Sequence, residues 1–357
     1  MKKLLFVVLS LILALLFAIS GCSCAVTPPL EFTKAYLGES GNANYSEILE
    51  YSVGYQSSYQ SITNSSNVDN AKIPDYKGTY VVEFSNSLNF VLPDGINTDI
   101  DYEEQSYHYL KSTLSLDVTF NGKTYNDKII SEVYFHSKDW SLAPVYSKTT
   151  MKNTYLSLTS ESVDQKIYQF SVLYNKDKYT LTKTYYNSEE NEDINLIDIT
   201  NTDVNSPNYF NTAKLVAMSG NGNSHEYNIR TVIDNAQLMF AMRNSNVDTV
   251  TLPTISFAYE QPIDISASYK NEANYTFNSL IYNGENKDNT NMPVKNIEFF
   301  INATNNRGSA KYVTIQKEAV KDIKNNALIV EYAEPLLSGL SNIGALVYKL
   351  NKVTINN

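Results

Sequence analysis

From Gly78 onward, apolar and polar residues alternate with period two nearly everywhere, the pattern of strands that rest one face on a core. The run from Leu110 to His136 shows it best. Leu114, Leu116, Val118 and Phe120 alternate with Ser115, Asp117 and Thr119, and Asn121-Gly122 follows. Asn-Gly is the strongest short hairpin signal, because both residues tolerate positive φ. A two-residue turn fixes the register, with Phe120 opposite Lys123, Val118 opposite Tyr125, Leu114 opposite Ile129 and Leu110 opposite Val133. Asp127 falls opposite Leu116 on the apolar face. It lies either where that face opens to water or beside a bulge that shifts the register.

A second hairpin is predicted through Tyr168, Phe170, Val172 and Tyr174, turning at Asn175-Lys176-Asp177-Lys178 and returning through Tyr179 and Leu181. Further strands are predicted at 80–84, 88–92, 215–218, 227–232, 254–259, 263–269 and 275–282. The segments 297–303 and 310–315 flank an Asn305-Asn306-Arg307-Gly308 turn, and 328–332 and 345–355 close the chain. Glu47 to Tyr59 suits a strand or an opening helix. One helix is predicted. Asp234-Asn235-Ala236-Gln237 has capping-box form and precedes Leu238, Met239, Phe240, Ala241, Met242 and Arg243. Asp234 is expected to accept N–H groups of the first turn, and Arg243 to sit where the helix dipole favours a cation. The segment is apolar nearly all round, so it is expected to be buried against the sheet. The fold class is therefore mostly β, a large antiparallel sheet with one short buried helix around 235–243.

No repeat of fixed period divides the chain. The acidic, Asn-rich loop near 188–207 is the plausible internal boundary. The same strand succession resumes beyond it, so it reads as an insertion in a single β-rich domain over 46–357. The alternative is two β lobes split there.

The N-terminus follows a different pattern. Lys2 and Lys3 precede Leu4 to Ile19, in which Ser10 is the only polar residue. At about 1.5 Å per helical residue this run is short for a membrane span and fits the apolar region of a signal peptide. It ends at Ile19-Ser20-Gly21-Cys22, which resembles the lipobox of bacterial lipoproteins. The resemblance implies a signal peptide over 1–21 and a lipidated Cys22. It also implies a tether over 22–45 and residence on the extracytoplasmic face of the bacterial cell membrane. More than one acyl chain makes such anchoring stable. Cys24 has no partner elsewhere, so there is no disulfide framework; it reads as a free thiol, with a second acylation site as the alternative.

Composition narrows the partners. The chain carries 28 Lys+Arg against 38 Asp+Glu, without the dense basic patch that nucleic-acid binding requires. The same acidity argues against a polybasic membrane-surface mode and leaves the lipid on Cys22 to hold the membrane. Tyr occurs 28 times and Asn more often still. AT-rich codon usage accounts for most of this excess, and Tyr also suits strands. An aromatic body with a polar tip suits a sugar or lipid groove. Tyr168, Tyr174, Tyr179, Tyr185, Tyr275 and Tyr282, with Met239 and Phe240 from the helix, are the candidate ligand surface. The alternative is that they are rim residues of a sheet.

Catalytic and metal-binding patterns are missing from the sequence. In the hairpin register His108 faces Phe135 and His136 faces Tyr107, so the two histidines fall on opposite faces, and no cysteine pair supports a zinc site with them or with His225. The stretch Gly339 to Gly344 has one residue too many for a nucleophile elbow. There is no Gly-rich phosphate loop and no dinucleotide fingerprint. The acidic runs 99–104 and 189–193 lack the spacing of a helix-loop-helix calcium site and read as solvated loop charge. No catalytic residue, metal or cofactor is expected.

The sheet pattern, the apolar helix ending in Arg243 and the strand Gly344 to Leu350 together resemble curved-sheet lipoproteins of the bacterial envelope. In the lipoprotein-carrier group such a sheet forms an open half-barrel, closed by a helix over an apolar cavity that holds lipid. Ser131-Glu132-Val133-Tyr134-Phe135 and the run Leu142 to Lys148 are similar to uncharacterised lipoproteins of low-GC Gram-positive bacteria, a likeness that implies no activity. These resemblances imply a half-barrel-like sheet and a non-enzymatic, membrane-anchored lipoprotein that binds a hydrophobic or cell-envelope ligand on its concave face. The alternatives are an adhesive or assembly module making protein contacts and a cell-wall hydrolase.

Overall fold

Asn121 and Gly122 take φ values of 50° and 75°, the left-handed pair that a tight hairpin requires. The strands on either side then pair from Phe120↔Lys123 to His108↔Phe135, the register expected from the sequence. The computed structural model describes residues 45–59, 73–93, 107–135, 144–157, 162–175, 178–186, 216–219, 233–243, 249–256, 261–303, 306–307, 311–338 and 341–356. The segment 1–21, Cys22, Cys24, the tether up to residue 44, both acidic runs, the 188–207 loop, the 227–232 strand, His136 and His225 lie outside them.

The first half of the chain supplies β1 (Ser46–Gln56), β2 (Asp75–Phe90), β3 (Tyr107–Phe120), β4 (Lys123–Phe135), β5 (Pro144–Ser157), β6 (Ser162–Asn175), β7 (Lys178–Tyr186) and β8 (Val216–Ser219). The second half supplies β9 (Ile233–Asp234), β10 (Thr249–Ser256), β11 (Gln261–Thr276), β12 (Ile281–Tyr282), β13 (Glu285–Asn286), β14 (Asn291–Ala303), β15 (Asn306–Arg307), β16 (Lys311–Gln316), β17 (Ile329–Ser338) and β18 (Ser341–Asn356). All belong to one sheet. β1 to β8 pair in chain order as an antiparallel meander. β18, β17, β16, β14, β11 and β10 form a second. The two join where β1 pairs antiparallel with β18, from Ser46↔Asn356 to Gln56↔Ala345. The result is the large open antiparallel sheet expected, with two short parallel contacts, β9–β10 and β12–β18.

Cross-strand partners share a face. One rung runs Tyr332, Tyr348, Val53, Gly78, Leu116, Asp127 across β17, β18, β1, β2, β3 and β4. The next runs Leu350, Tyr51, Tyr80, Leu114, Ile129, Met151. Side chains of this face from both meanders fuse into one core. So large a core on one face of so wide a sheet requires the sheet to curl around it, while the other face carries a small separate cluster of Ala333, Ala345 and Val347.

The core is completed by the 233–243 segment. β9 leads into a 3-10 turn (Asn235–Gln237) and helix α1 (Leu238–Met242). The reciprocal bonds expected of Asp234 and Gln237 form at the 3-10 turn, while the regular helix has Gln237 as an N-cap without a side-chain bond. The Ala236 N–H donates to Asp234 Oδ1 at 2.8 Å, and the Asp234 N–H donates to Gln237 Oε1 at 2.9 Å. The regular helix is shorter than expected, because its first turn tightens to 3-10. Leu238, Phe240 and Met242 are buried, with Phe240 4.7 Å from Phe84 ring to ring. Burying each such side chain contributes about 1.5–3 kcal/mol.

Two expectations are corrected, and a third gains a partner. Asp127 does oppose Leu116, but without a bulge and without opening to water: it is buried and accepts hydrogen bonds from the Thr154 N–H at 2.9 Å and Thr154 Oγ1 at 2.5 Å. Arg243 stands at the C-terminus of α1, where the helix dipole favours a cation, and it is buried as well. Its Nη1 donates to Glu47 Oε1, and its Nη2 to Glu47 Oε2 at 3.0 Å and the Asn326 carbonyl at 3.1 Å. Tyr45 donates a further bond to Glu47 Oε2 at 2.7 Å. The single strand expected over 275–282 is broken. β11 ends at Thr276, Phe277 and Leu280 drop into the core, and Asn283-Gly284 (φ 48° and 84°) turns β12 into β13.

The Glu47–Arg243 pair leads to a sharp expectation. Removing one partner leaves a buried charge uncompensated, so Arg243→Met is expected to cost about 3–5 kcal/mol in urea unfolding. The double change Glu47→Leu, Arg243→Met should recover most of that loss. Equal losses in the single and double variants would show that the pair is not the unit that matters.

Candidate functional site

α1 and the Phe277–Leu280 segment pack over one end of the core face, where Leu49, Phe84, Val133 and Phe135 are buried to 2% exposure or less. The other end differs. Tyr76, Tyr80, Tyr125, Ile129 and Leu336 pack against the same core but keep part of their surface exposed. They project from β2, β4 and β17 as an interrupted strip, with Gly78 between Tyr76 and Tyr80 and the buried Asp127 between Tyr125 and Ile129. Gly78, on the adjacent rung, admits β3 so closely that a Cβ there would lie 2.1 Å from the Ser115 carbonyl oxygen.

Polar groups border the strip. The Tyr80 ring meets Tyr348 edge-on at 5.4 Å, and Tyr348 lies 5.3 Å from Tyr332. Beside them Lys311 Nζ donates to Glu334 Oε1 at 2.7 Å. Glu334 pairs across β17–β18 with Leu346, a member of the core, which places the ion pair on the concave face. Burial works against the charge of Lys311. Glu334 and Tyr332 outweigh that effect and hold its pKa above the ordinary lysine value. Burial pushes the phenol of Tyr332 up, with Glu334 adding to the rise. Tyr76 is pushed up to about 12 by burial and by Asp127. These tyrosines therefore stay neutral near neutral pH.

The sequence-derived surface is divided by the structure. Tyr174 is fully buried and donates to Asp234 Oδ2 at 2.5 Å, Phe240 is core, and Tyr282 is 6% exposed. Met239 and Tyr275 are half-buried and pack on the core. Tyr168 and Tyr179 are placed by backbone register alone, opposite Met151 and Tyr174, and Tyr185 opposite Tyr168. The strip residues Tyr76, Tyr80, Tyr125, Ile129 and Leu336 were not in the sequence-derived set. Period-two alternation places Tyr125 and Ile129 on the core face, but nothing local separates the covered end of a strand from the open one.

On the opposite face Phe90 stacks on Tyr109 at 4.5 Å, and Tyr134 and Tyr146 continue the row. The Tyr109 hydroxyl is taken by Glu132 at 2.5 Å. His108 is a core histidine between Phe84 and Phe135. Among the described residues no group of three or more His, Cys, Asp or Glu side chains is placed to hold a metal ion, and no helix is long and apolar enough to cross a membrane.

No family model matches the chain, and no curated protein matches it. Among solved structures it is similar to the crystal structure of a β-barrel-like protein of a domain of unknown function from Brucella abortus, at 8% identity and a TM-score of 0.46, covering 87% of this chain and 98% of that one.

Asp234 ties the helix segment to the first meander. Ser147 Oγ and the Tyr174 hydroxyl both donate to its Oδ2 at 2.5 Å. Burial raises its pKa, and the bonds from Ser147, Tyr174 and Ala236 only partly offset that. The folded state therefore holds a proton on Asp234 more readily than the unfolded chain does. Between the ordinary carboxyl pKa and the raised one, stability increases as pH falls. Melting curves from pH 7 to pH 4 should show the natural protein gaining stability relative to Asp234→Asn. A difference that is constant with pH would contradict this.

Proposed function

We propose that the chain is a lipid-anchored protein of the extracytoplasmic membrane face, held there through Cys22, that binds a hydrophobic or cell-envelope ligand without transforming it. The observation that carries the reading is the concave face itself: α1 fills one end, and at the other Tyr76, Tyr80, Tyr125, Ile129 and Leu336 keep part of their surface exposed around the buried Leu116, Val118 and Phe120. A concave apolar surface with a few convergent polar groups is the form of a small-molecule site. Phenols that remain neutral, bordered by an internally compensated ion pair, suit an occupant that is mostly hydrocarbon. The lipobox residues Ile19 to Cys22 supply the anchor.

Native mass spectrometry, with solvent extraction, of a form starting after Cys24 and expressed in a bacterial periplasm tests the reading. A co-purifying lipid or isoprenoid is expected, and it should rebind after extraction. Ile129→Glu should lower the bound fraction at least tenfold while leaving the β-sheet circular dichroism unchanged, because it places a charge on the strip. A clean apo mass, with no shift after incubation with envelope lipids, would overturn the proposal.

A further inference from the structure

We infer that the open end of the concave face selects an amphiphile with an uncharged polar head, a hydroxyl, ester or amide, and rejects the carboxylate of the same chain. This rests on the ligand-binding reading above and names the class of ligand. Two charges stand at the border of the strip, Lys311 and Glu334, and each neutralises the other at 2.7 Å. Their side chains are 21% and 38% exposed, so a head group lying on Tyr80 and Leu336 reaches them from the open side. Tyr332, buried beside the pair, turns its phenol towards Lys311 and fixes the ammonium.

A neutral head finds both a donor and an acceptor in this arrangement and leaves the ion pair intact. An anionic head has to displace Glu334 from Lys311 or lie beside a carboxylate. Either outcome leaves a charge poorly compensated in a part-desolvated site, which is unfavourable. Asp127, also on this face, stands five strands away and is held by Thr154 and Gln165, and Glu47 is taken by Arg243 at the covered end, so neither substitutes for Glu334.

Native mass spectrometry with a monoacylglycerol and a fatty acid of equal chain length is the test. The natural protein should bind the monoacylglycerol at least tenfold more tightly. Glu334→Gln leaves Lys311 with an unanswered positive charge and should raise fatty-acid affinity at least tenfold. Lys311→Gln leaves a lone carboxylate and should not. If both lipids bind the natural protein equally, or if Glu334→Gln leaves the preference unchanged while lipid still binds, the head-group inference is overturned and the ligand-binding reading stands. If neither lipid nor any envelope lipid binds, the ligand-binding reading fails and takes this one with it.

Discussion

The pairing of β1 with β18 is the constraint on which the rest of the structure depends. Each meander pairs strands that follow one another along the chain. Neither meander alone surrounds the core. Only when the first strand meets the last do Leu49, Tyr51 and Val53 come to lie beside Val353, Leu350 and Tyr348. Lys352 adds a salt bridge to Glu50 at 2.5 Å across that seam, over a separation of 302 residues. Contacts of such long range carry a loop-closure cost that the rest of the core has to offset.

The seam also positions the segment that fills one end of the concave face. Glu47 stands on β1 beside Phe84 and Ile355, and the Arg243 guanidinium reaches it from the end of α1. Asp234, at the start of the same segment, is bonded to Ser147 and Tyr174 in the first meander, while its backbone pairs with β10 in the second. An apolar helix slides over an apolar sheet at little cost. Three directional polar attachments, to the seam and to both arms, fix it in one place. The covered end and the open end of the face are therefore set by a handful of buried polar contacts, and the apolar strip at the open end is a consequence of where the helix stops.

Much of the sheet was legible because its signals are local. Asn121-Gly122 and the alternation around it gave a register that holds over thirteen pairs, from Phe120↔Lys123 to His108↔Phe135. The capping box at 234–237 announced the helix start for the same reason. What escaped depends on contacts distant in sequence. Nothing near Arg243 points to Glu47, 196 residues away, and nothing near Tyr174 points to Asp234, 60 residues away. The sequence-derived ligand surface failed at Tyr174 and Phe240 for that reason: an aromatic residue in a strand or helix has the same local pattern whether it lines a groove or seals a core. Asn283-Gly284 carried a hairpin signal as strong as Asn121-Gly122. It went unread because the run 275–282 looks like one continuous strand, although Phe277 and Leu280 leave the strand for the core.

The proposed ligand site is the open end of the concave face and not the aromatic row on the opposite side. Photo-crosslinking with a diazirine-bearing lipid, followed by residue-level mapping, tests it most directly, since neighbouring residues on a strand face opposite ways. The account predicts adducts on Tyr76, Tyr125, Ile129 and Leu336, competed by unlabelled lipid. Competable adducts confined to Tyr109 and Tyr134 on the opposite face would contradict it.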